Sequence, residues 1–294
     1  MRRLAVAGAI VAAVSVLLAC SPPEEPVAEV TVSGKPGERP IATYVTPLTV
    51  TDPSSWAVWP GTGERLTDGG PVLLDYWIEN ATDASLVRES YSTGPAPRLL
   101  TAEELGADLY ATLHGQRVGS RLVQLSPADA EGGTPYPTVT VLDVLPTRAD
   151  GKEVPPRKGL PAVRRSDSGE PSIAASKGDP PTELVAQPLV RGSGRQVADG
   201  DTITVQYTGF SWKTGEPFDS TWSVGLPVSF SLDEVPAWSE GLVDQTIGSQ
   251  VMLVVPPTYR LGVTDSQELK GQTVVFVVDI LDSRSSDPDQ EPTP

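Results

Sequence analysis

Two stretches decide the fold: VWPGTGERLTDGGPVLLDY at residues 58–76 and LVRGSGRQVADGDTITVQY at residues 189–207. They align over nineteen residues without a gap, at a constant offset of 131. Both carry two glycines near the start, an Asp-Gly pair and a final tyrosine. Two later blocks repeat in the same order: 113–127 with 242–256, and 138–145 with 274–281. Because the period is about 130 residues, the chain is predicted to be a tandem duplication of one domain and not a solenoid.

Within each repeat the residue pattern favours β-strands. Residues 202–207 alternate between apolar and polar side chains after the Asp199-Gly200 turn, which is typical of a half-buried strand. Residues 251–255 and 274–281 are continuous runs rich in β-branched residues. Such runs are typical of strands that are buried on both faces.

One helix is predicted near residues 235–245 of the second repeat. Asp233 can cap it, and Pro236 suits its first turn. Trp238 and Leu242 lie four residues apart and would share its inner face. The sequence therefore predicts an α+β fold of two tandem domains, each an antiparallel β-sheet wrapped around one short helix.

The composition excludes several classes of function. Lys and Arg total 22 against 38 Asp and Glu, and the net charge of −16 argues against nucleic-acid binding. The chain contains one His and one Cys, which excludes most metal sites, disulfide frameworks and Ser–His–Asp catalysis. We therefore expect neither a metal nor a cofactor.

The N-terminus predicts export. Arg2 and Arg3 precede an apolar segment, residues 4–19, which is a secretory-signal pattern and is too short for a spanning helix. The segment ends Leu17-Leu18-Ala19-Cys20, which resembles a bacterial lipobox. This resemblance implies lipidation of Cys20 and a protein anchored to the extracytoplasmic face of the bacterial cell membrane. The alternative is a buried cysteine in an uncleaved segment.

Shifts in composition divide the chain into six predicted parts. Pro-rich, polar or acidic segments lie before, between and after the two more regular repeats. The parts are a lipoprotein signal peptide (1–20), a flexible tether (21–40), a first domain (41–147), a linker (148–181), a second domain (182–283) and a disordered acidic tail (284–294).

The second repeat carries six motifs in order: GSGRQVADGDTITVQYTG (192–209), TGEPFDSTW (214–222), PVSFSL (227–232), WSEGLVDQTIGSQ (238–250), VVPPTYRLG (254–262) and VVFVVDIL (274–281). On these motifs, residues 182–283 resemble the FKBP family of peptidyl-prolyl cis–trans isomerases. The resemblance implies two FKBP-like domains and an isomerase that assists the folding of extracytoplasmic proteins.

The resemblance also implies the site. A shallow apolar pocket would hold the substrate proline, with Trp238 as its floor and Tyr207, Phe218 and Phe276 as aromatic walls. Asp219 would be the acidic group of the pocket and accept a hydrogen bond from the Tyr207 hydroxyl. The implied substrate-binding residues are Val228, Val235, Tyr259, Leu261 and Leu269.

The second repeat departs from the family pattern in three places. The segment Val235-Pro236-Ala237-Trp238 is one residue short and lacks a backbone donor at Pro236, Leu261 replaces a tyrosine, and Val224 replaces an arginine. A weak isomerase is one expectation from these departures. The alternative is a non-catalytic FKBP-like binding or chaperone lipoprotein. A third class is a solute-binding lipoprotein, but the sequence lacks the α/β lobes expected of that class.

In the first repeat the pocket residues are replaced. Val87-Arg88 stands for Phe218-Asp219, Leu109 for Trp238 and Thr140 for Phe276. Residues 41–147 are therefore predicted to be a degenerate FKBP-like domain without isomerase activity, acting as a spacer, a protein-binding module or packing support. The expected partners of the whole protein are proline-containing polypeptides and, through Cys20, the membrane.

Overall fold

A computed structural model describes residues 29–35, 37–129, 133–259 and 271–285. The elements of the first half are β1 (Thr31–Ser33), β2 (Ile41–Thr43), β3 (Ser54–Trp59), β4 (Pro71–Asn80), β5 (Leu86–Glu89), β6 (Ala96–Leu99), α1 (Ala102–Leu105), α2 (Ala107–Leu113), β7 (Arg121–Ser126) and β8 (Thr138–Leu145). Those of the second half are β9 (Lys152–Glu153), β10 (Val163–Arg165), β11 (Pro171–Ile173), β12 (Val185–Arg191), β13 (Thr202–Ser211), β14 (Pro217–Ser220), α3 (Thr221–Val224), β15 (Val228–Ser231), a 3-10 turn (Leu232–Glu234), α4 (Pro236–Leu242), β16 (Gln250–Val255) and β17 (Val274–Arg284). None of the helices in the described ranges is long and apolar enough to cross a membrane.

The two halves contain sheets with the same strand order. The first sheet runs β3-β7-β8-β4-β5, and the second runs β12-β16-β17-β13-β14 with β9 added beside β12. Strands β6 and β15 pair with the equivalent strands β4 and β13. Every pair is antiparallel. The prediction of antiparallel sheets with few helices is therefore confirmed. The number of helices differs from the prediction, because α1 directly precedes α2 in the first half and α3 precedes α4 in the second.

Helix α4 presents the predicted face to the sheet, but its cap differs from the prediction. Pro236 occupies the first turn, and Trp238 and Leu242 are buried. Val235 precedes the first turn and supplies no side-chain cap. Asp233 cannot cap the helix because it lies in the 3-10 turn before Val235, where its own backbone N–H is 3.4 Å from Ser231 Oγ.

The structure describes residues 29–35 and 37–40 of the predicted tether (21–40), and they include strand β1. The hairpin β1–β2 packs on the outer face of the first sheet, where Val30 joins an apolar cluster. The buried Arg121 guanidinium donates to the backbone carbonyls of Lys35 at 3.0 Å and Glu38 at 2.7 Å. These contacts correct the prediction, because a segment that buries an apolar side chain and pairs with a buried cation is part of the domain. We call residues 29–50 the N-terminal strap.

The predicted linker at residues 148–181, called the central strap below, is packed on the second sheet. Strand β9 pairs with β12 at the sheet edge, and β10 and β11 form a hairpin. Leu160, Val163 and Ile173 of this strap pack against the outer face of the sheet. The outer face consists of Leu189, Phe210, Trp212, Met252, Val254, Val275 and Val277. The segment is therefore more than a connection between domains, because it covers apolar side chains that water would otherwise contact.

The two straps are equivalent to each other. Each includes a hairpin that directly precedes a long edge-side strand of its sheet, β3 in the first half and β12 in the second. Each then returns to its sheet through one backbone hydrogen bond: Leu48 N donates to Ala81 O at 2.8 Å, and Ser176 N donates to Trp212 O at 3.2 Å. The two acceptors are 131 residues apart, which is the offset of the sequence repeat. We infer that the duplicated unit includes its strap.

The last strand reaches one residue into the predicted tail, 284–294, and joins the two halves. Arg284 ends β17, and its Nη2 lies 2.6 Å from Asp75 Oδ2 in the first sheet. Its Nη1 donates to the backbone carbonyl of Tyr91 at 2.9 Å. Asp75 is fully buried, so the removal of the guanidinium would leave a buried carboxylate without its ion-pair partner.

A buried carboxyl fastens the central strap and should make stability depend on pH. Asp279 Oδ2 accepts from Ala149 N at 2.8 Å, and burial raises the pKa of Asp279 to about 6. Because the folded pKa exceeds the unfolded one, the folded state binds more protons between about pH 4 and 6, and stability falls as pH rises through this window. Relative to Asp279→Asn, the wild-type free energy of unfolding should fall by about 2 kcal/mol between pH 4 and 7. Urea titrations at several pH values test this, with exposed Asp167→Asn as the control. Parallel profiles for wild type and Asp279→Asn would contradict it.

Candidate functional site

Helix α4 places Trp238 at the bottom of an aromatic cluster on the inner face of the second sheet. The indole is 3 % exposed. The Tyr207 ring meets it edge-on, with ring centroids 5.1 Å apart at 87°. The Phe276 ring lies 5.3 Å away at 71°. Such edge-to-face contacts favour a fixed arrangement of the rings. The structure therefore brings together three of the predicted pocket residues.

A glycine lets the fourth predicted aromatic residue close the cluster. Phe218, on β14, lies 5.7 Å from Phe276 at 83° and is 37 % exposed. Both rings lie over Gly209 of β13. A Cβ atom at Gly209 would lie 2.6 Å from Phe218 Cζ and 2.9 Å from Phe276 Cε1. Any side chain at this position would therefore displace the rings. We call Tyr207, Phe218, Trp238 and Phe276 the aromatic pocket.

The predicted hydrogen bond between the tyrosine and the aspartate is present. Tyr207 Oη donates to Asp219 Oδ2 at 2.6 Å. Burial, followed by the bond to Asp219, raises the pKa of Tyr207 above its usual value. The hydroxyl consequently stays protonated at neutral pH and holds the carboxylate beside the pocket. The confirmed contact is the hydrogen bond, and the role of Asp219 in function is a proposal.

The predicted substrate-binding residues that the structure describes differ in their exposure and contacts. Val228 is 39 % exposed on β15, and Val235 is buried before α4. Tyr259 Oη lies 3.3 Å from Glu240 Oε1, and its ring packs against the inner apolar cluster. Leu261 and Leu269 lie outside the described residues, as does Cys20.

Phe230 is a member of the cluster that the sequence analysis did not identify. Its ring lies 5.2 Å from that of Trp238 at 59°. Phe230 follows Val228 by two residues on β15, and alternate residues of a strand share a face. The alternation in PVSFSL (227–232) was the signal that could have identified it.

The backbone at the start of α4 is already engaged. The N–H of Val235 donates to Leu232 O at 3.1 Å, and its carbonyl accepts from Trp238 N at 2.8 Å. Pro236 has no N–H to offer. A ligand in the aromatic pocket would therefore lack a free backbone donor at these two positions.

Strand register identifies the residues of the first repeat that occupy the positions of the aromatic pocket. Ile78 pairs with Arg88 and Thr140, as Gly209 pairs with Asp219 and Phe276. The position that must be glycine in the second repeat is thus isoleucine in the first. The Arg88 guanidinium lies over the ring of Tyr76, 5.9 Å from its centroid. Leu109 is the third residue of α2, as Trp238 is of α4. The predicted replacements therefore occupy equivalent places in the fold.

The aromatic pocket contains a protonated phenol and apolar rings, and the Asp219 carboxylate lies beside it. No group of three His, Cys, Asp or Glu side chains that could hold a metal ion occurs in the described parts of the chain. The arrangement can enclose a small apolar ring, and Asp219 supplies a hydrogen-bond acceptor at its side. Its components suit binding by shape more than nucleophilic or acid–base chemistry.

Comparisons with known proteins identify the family of the second half of the chain. Residues 193–281 match the family described as FKBP-type peptidyl-prolyl cis-trans isomerase. A probable FK506-binding protein of Corynebacterium glutamicum is 33 % identical over 114 residues, which cover 38 % of this chain and 97 % of that protein. The isomerase FkpA of Escherichia coli strain K12 is 38 % identical over 103 residues, covering 34 % of this chain and 38 % of FkpA. The crystal structure of FkpA from Escherichia coli gives a TM-score of 0.33 at 32 % identity, over 45 % of this chain and 54 % of that one.

Proposed function

The chain belongs to the FKBP-type peptidyl-prolyl cis-trans isomerases, and from that premise we propose that its second domain carries the isomerase activity. The observation that carries this proposal is the aromatic pocket, with the Tyr207–Asp219 hydrogen bond at its side. The first repeat keeps Tyr76 but has Val87, Leu109 and Thr140 in the other pocket positions, and Arg88 in place of Asp219. The proposed substrates are polypeptides that contain proline.

The reaction requires no bond to be broken. Resonance holds a peptide bond planar with a rotational barrier of about 18–20 kcal/mol. An X–Pro bond isomerises over tens to hundreds of seconds, although its two planar forms differ little in energy. A protein accelerates this rotation by binding the twisted amide more tightly than either planar form.

The residues of the aromatic pocket have proposed roles in this step. Trp238 forms the floor against which the proline ring packs, and Phe218 and Phe276 exclude water from it. A planar amide is more dipolar than a twisted one, so an apolar surrounding disfavours the planar forms. Tyr207 orients the Asp219 carboxylate beside the rotating bond.

Asp219→Asn tests the role of the carboxylate. The change keeps the side-chain volume, removes the charge and weakens the acceptor of the Tyr207 bond. We expect kcat/KM on a proline tetrapeptide to fall about tenfold, while KM changes little because the interaction acts in the rotation step. Steady-state isomerisation by the full chain measures this, and the thermal unfolding midpoint is the control. A lowered midpoint with an unchanged rate would show that Asp219 only supports the fold.

We also propose that the protein works outside the cytoplasm, attached to the membrane by a lipid on Cys20. The lipobox-like sequence before Cys20 supports this location. Cys20→Ala should release the protein from the membrane fraction or leave an unprocessed precursor, as fractionation and mass spectrometry would show. Fractionation and processing identical to wild type would contradict the proposal.

A second candidate function is binding without catalysis. The engaged Val235 backbone and the missing donor at Pro236 favour it, because a ligand finds fewer hydrogen bonds there. In that case the full chain would bind proline peptides in an anisotropy titration and leave their isomerisation rate unchanged. Acceleration by wild type and its loss in Asp219→Asn would decide for the enzyme.

A further inference from the structure

A cleft of about 610 Å³ lies between the central strap and strand β14. The strap wall includes Arg165, Glu170 and Ser172, and all four residues of β14 line the opposite wall. Successive side chains of a strand point to opposite faces. A cleft that meets four consecutive residues therefore runs along the edge of the strand, where its backbone groups are.

That edge is free to pair. In the sheet, β14 lies at the end of the strand order and pairs with β13 alone among the described strands. An unpaired edge presents a row of backbone N–H and C=O groups, to which an extended peptide can add as a further strand. The occupant that fits the cleft is therefore an extended polypeptide.

The cleft and the aromatic pocket share strand β14 as a wall. Phe218 and Asp219 line the cleft, and the same two residues contact Phe276 and Tyr207 on the pocket side. A chain with its proline against Trp238 must leave the pocket past its rim, and β14 is part of that rim. Residues next to the proline can then follow the edge of β14.

The strap wall is fixed before any peptide arrives. Arg165 Nη1 lies 2.6 Å from Glu153 Oε1, and its Nε donates to Gln250 Oε1 at 2.8 Å. The turn before β14 packs closely on the strap, since a Cβ at Gly215 would lie 2.8 Å from Ala175 N. A preformed wall lowers the ordering cost of binding.

The charges in the cleft determine which type of residue is favoured beside the substrate proline. The guanidinium of Arg165 is paired with Glu153, whereas the exposed Glu170 carboxylate forms no ion pair within the described ranges. Asp219 adds a second carboxylate on the opposite wall. The unpaired charge in the cleft is therefore negative and attracts a cation.

We propose that this cleft binds the residues flanking the substrate proline, extended along β14, and prefers a Lys or Arg opposite Glu170. The proposal rests on the proposed isomerase function of the second domain and deepens it. It assigns the central strap to substrate binding and makes unfolded polypeptides, more than short proline peptides, the preferred substrates.

The test compares short and long substrates of the full chain. Ser172→Trp fills the cleft from the strap side, and Ser168→Trp in the turn of the same hairpin is the matched control outside the cleft lining. For Ser172→Trp we expect kcat/KM on a twelve-residue proline peptide to fall about tenfold, with the tetrapeptide unaffected. Ser168→Trp should change neither value. Glu170→Lys should reverse the preference between long peptides with Lys and with Glu beside the proline.

Several outcomes would overturn the proposal. Equal losses on both substrates from Ser172→Trp would show that the strap only supports the pocket, and no loss on either would show that substrates bypass the cleft. A wild-type dimer in sedimentation that Ser172→Trp dissociates would assign the cleft to a second copy of the chain.

Fluorescence anisotropy titrations with the same peptides distinguish a failure of the cleft proposal from a failure of the proposed isomerase function. Binding of the long peptide that Ser172→Trp weakens, without isomerisation by wild type, would contradict the isomerase function and uphold the cleft.

Discussion

A second domain cut at residue 182 should fail to fold, whereas residues 148–285 should fold on their own. The shorter fragment lacks the central strap, which covers the outer face of the sheet. Full burial of one large apolar side chain contributes about 1.5–3 kcal/mol. Phe210, Trp212 and Met252 are among the side chains that would become exposed. Since a whole domain is stable by about 5–15 kcal/mol, this loss is enough to unfold it.

Circular dichroism, urea titration and sedimentation of the two fragments measure this effect. The fragment 148–285 should unfold cooperatively as a monomer, and 182–285 should be unfolded or aggregated. Ile173→Ala within 148–285 is a milder version, which should lower the free energy of unfolding by about 2 kcal/mol or more because it removes one strap contact. Equal unfolding midpoints for the two fragments would show that the strap is dispensable.

Gly209→Ile should abolish most of the isomerase activity while the domain stays folded. The new side chain would occupy the space in which Phe218 and Phe276 now meet. Phe218 is partly exposed and can swing outward, so the fold should lose only about 1–3 kcal/mol. The pocket would lose a wall and admit water. We expect kcat/KM on a proline tetrapeptide to fall about a hundredfold, a loss of about 2.7 kcal/mol in transition-state binding.

The first repeat supplies the matched control. Ile78 is the equivalent of Gly209 in strand register. Ile78→Gly in the full chain should leave the isomerisation rate unchanged, since no aromatic pocket exists there. An undiminished rate in Gly209→Ile, or a reduced rate in Ile78→Gly with the chain still folded, would place the activity elsewhere.

The sequence was sufficient to predict the duplication and the inner face of the second domain. The strands at 202–207, 251–255 and 274–281 were predicted within a few residues of β13, β16 and β17. Residue pattern fixes such elements because side chains on alternate faces must meet either the core or water. The Tyr207–Asp219 hydrogen bond followed from family resemblance and not from pattern alone.

The straps could not be predicted from their composition. Residues 148–181 are rich in Pro, Gly and charged residues, and their few apolar side chains are far apart in sequence. Yet the run at 274–281 had indicated a strand buried on both faces, so something had to cover the second face. The strap is that cover, and its hairpin is stabilised by contacts with the sheet more than by local preference.

Local rules also failed at the pocket rim. A 3-10 turn separates Asp233 from α4, so a residue type that favours caps does not cap the helix. The need for glycine at position 209 comes from two rings on other strands, which no local pattern shows. At the offset of 131, Gly209 corresponds to Ile78 in the sequence, but the significance of this difference required the register of both sheets.

The most direct test of the central claim is the isomerisation rate per mole of residues 148–285 beside that of the full chain, on one proline tetrapeptide. If the second domain with its strap carries the activity, the two kcat/KM values should agree within about twofold, since the aromatic pocket lies wholly inside the fragment. A folded fragment without activity beside an active full chain would assign catalysis to the first repeat or to both together, and would contradict the claim.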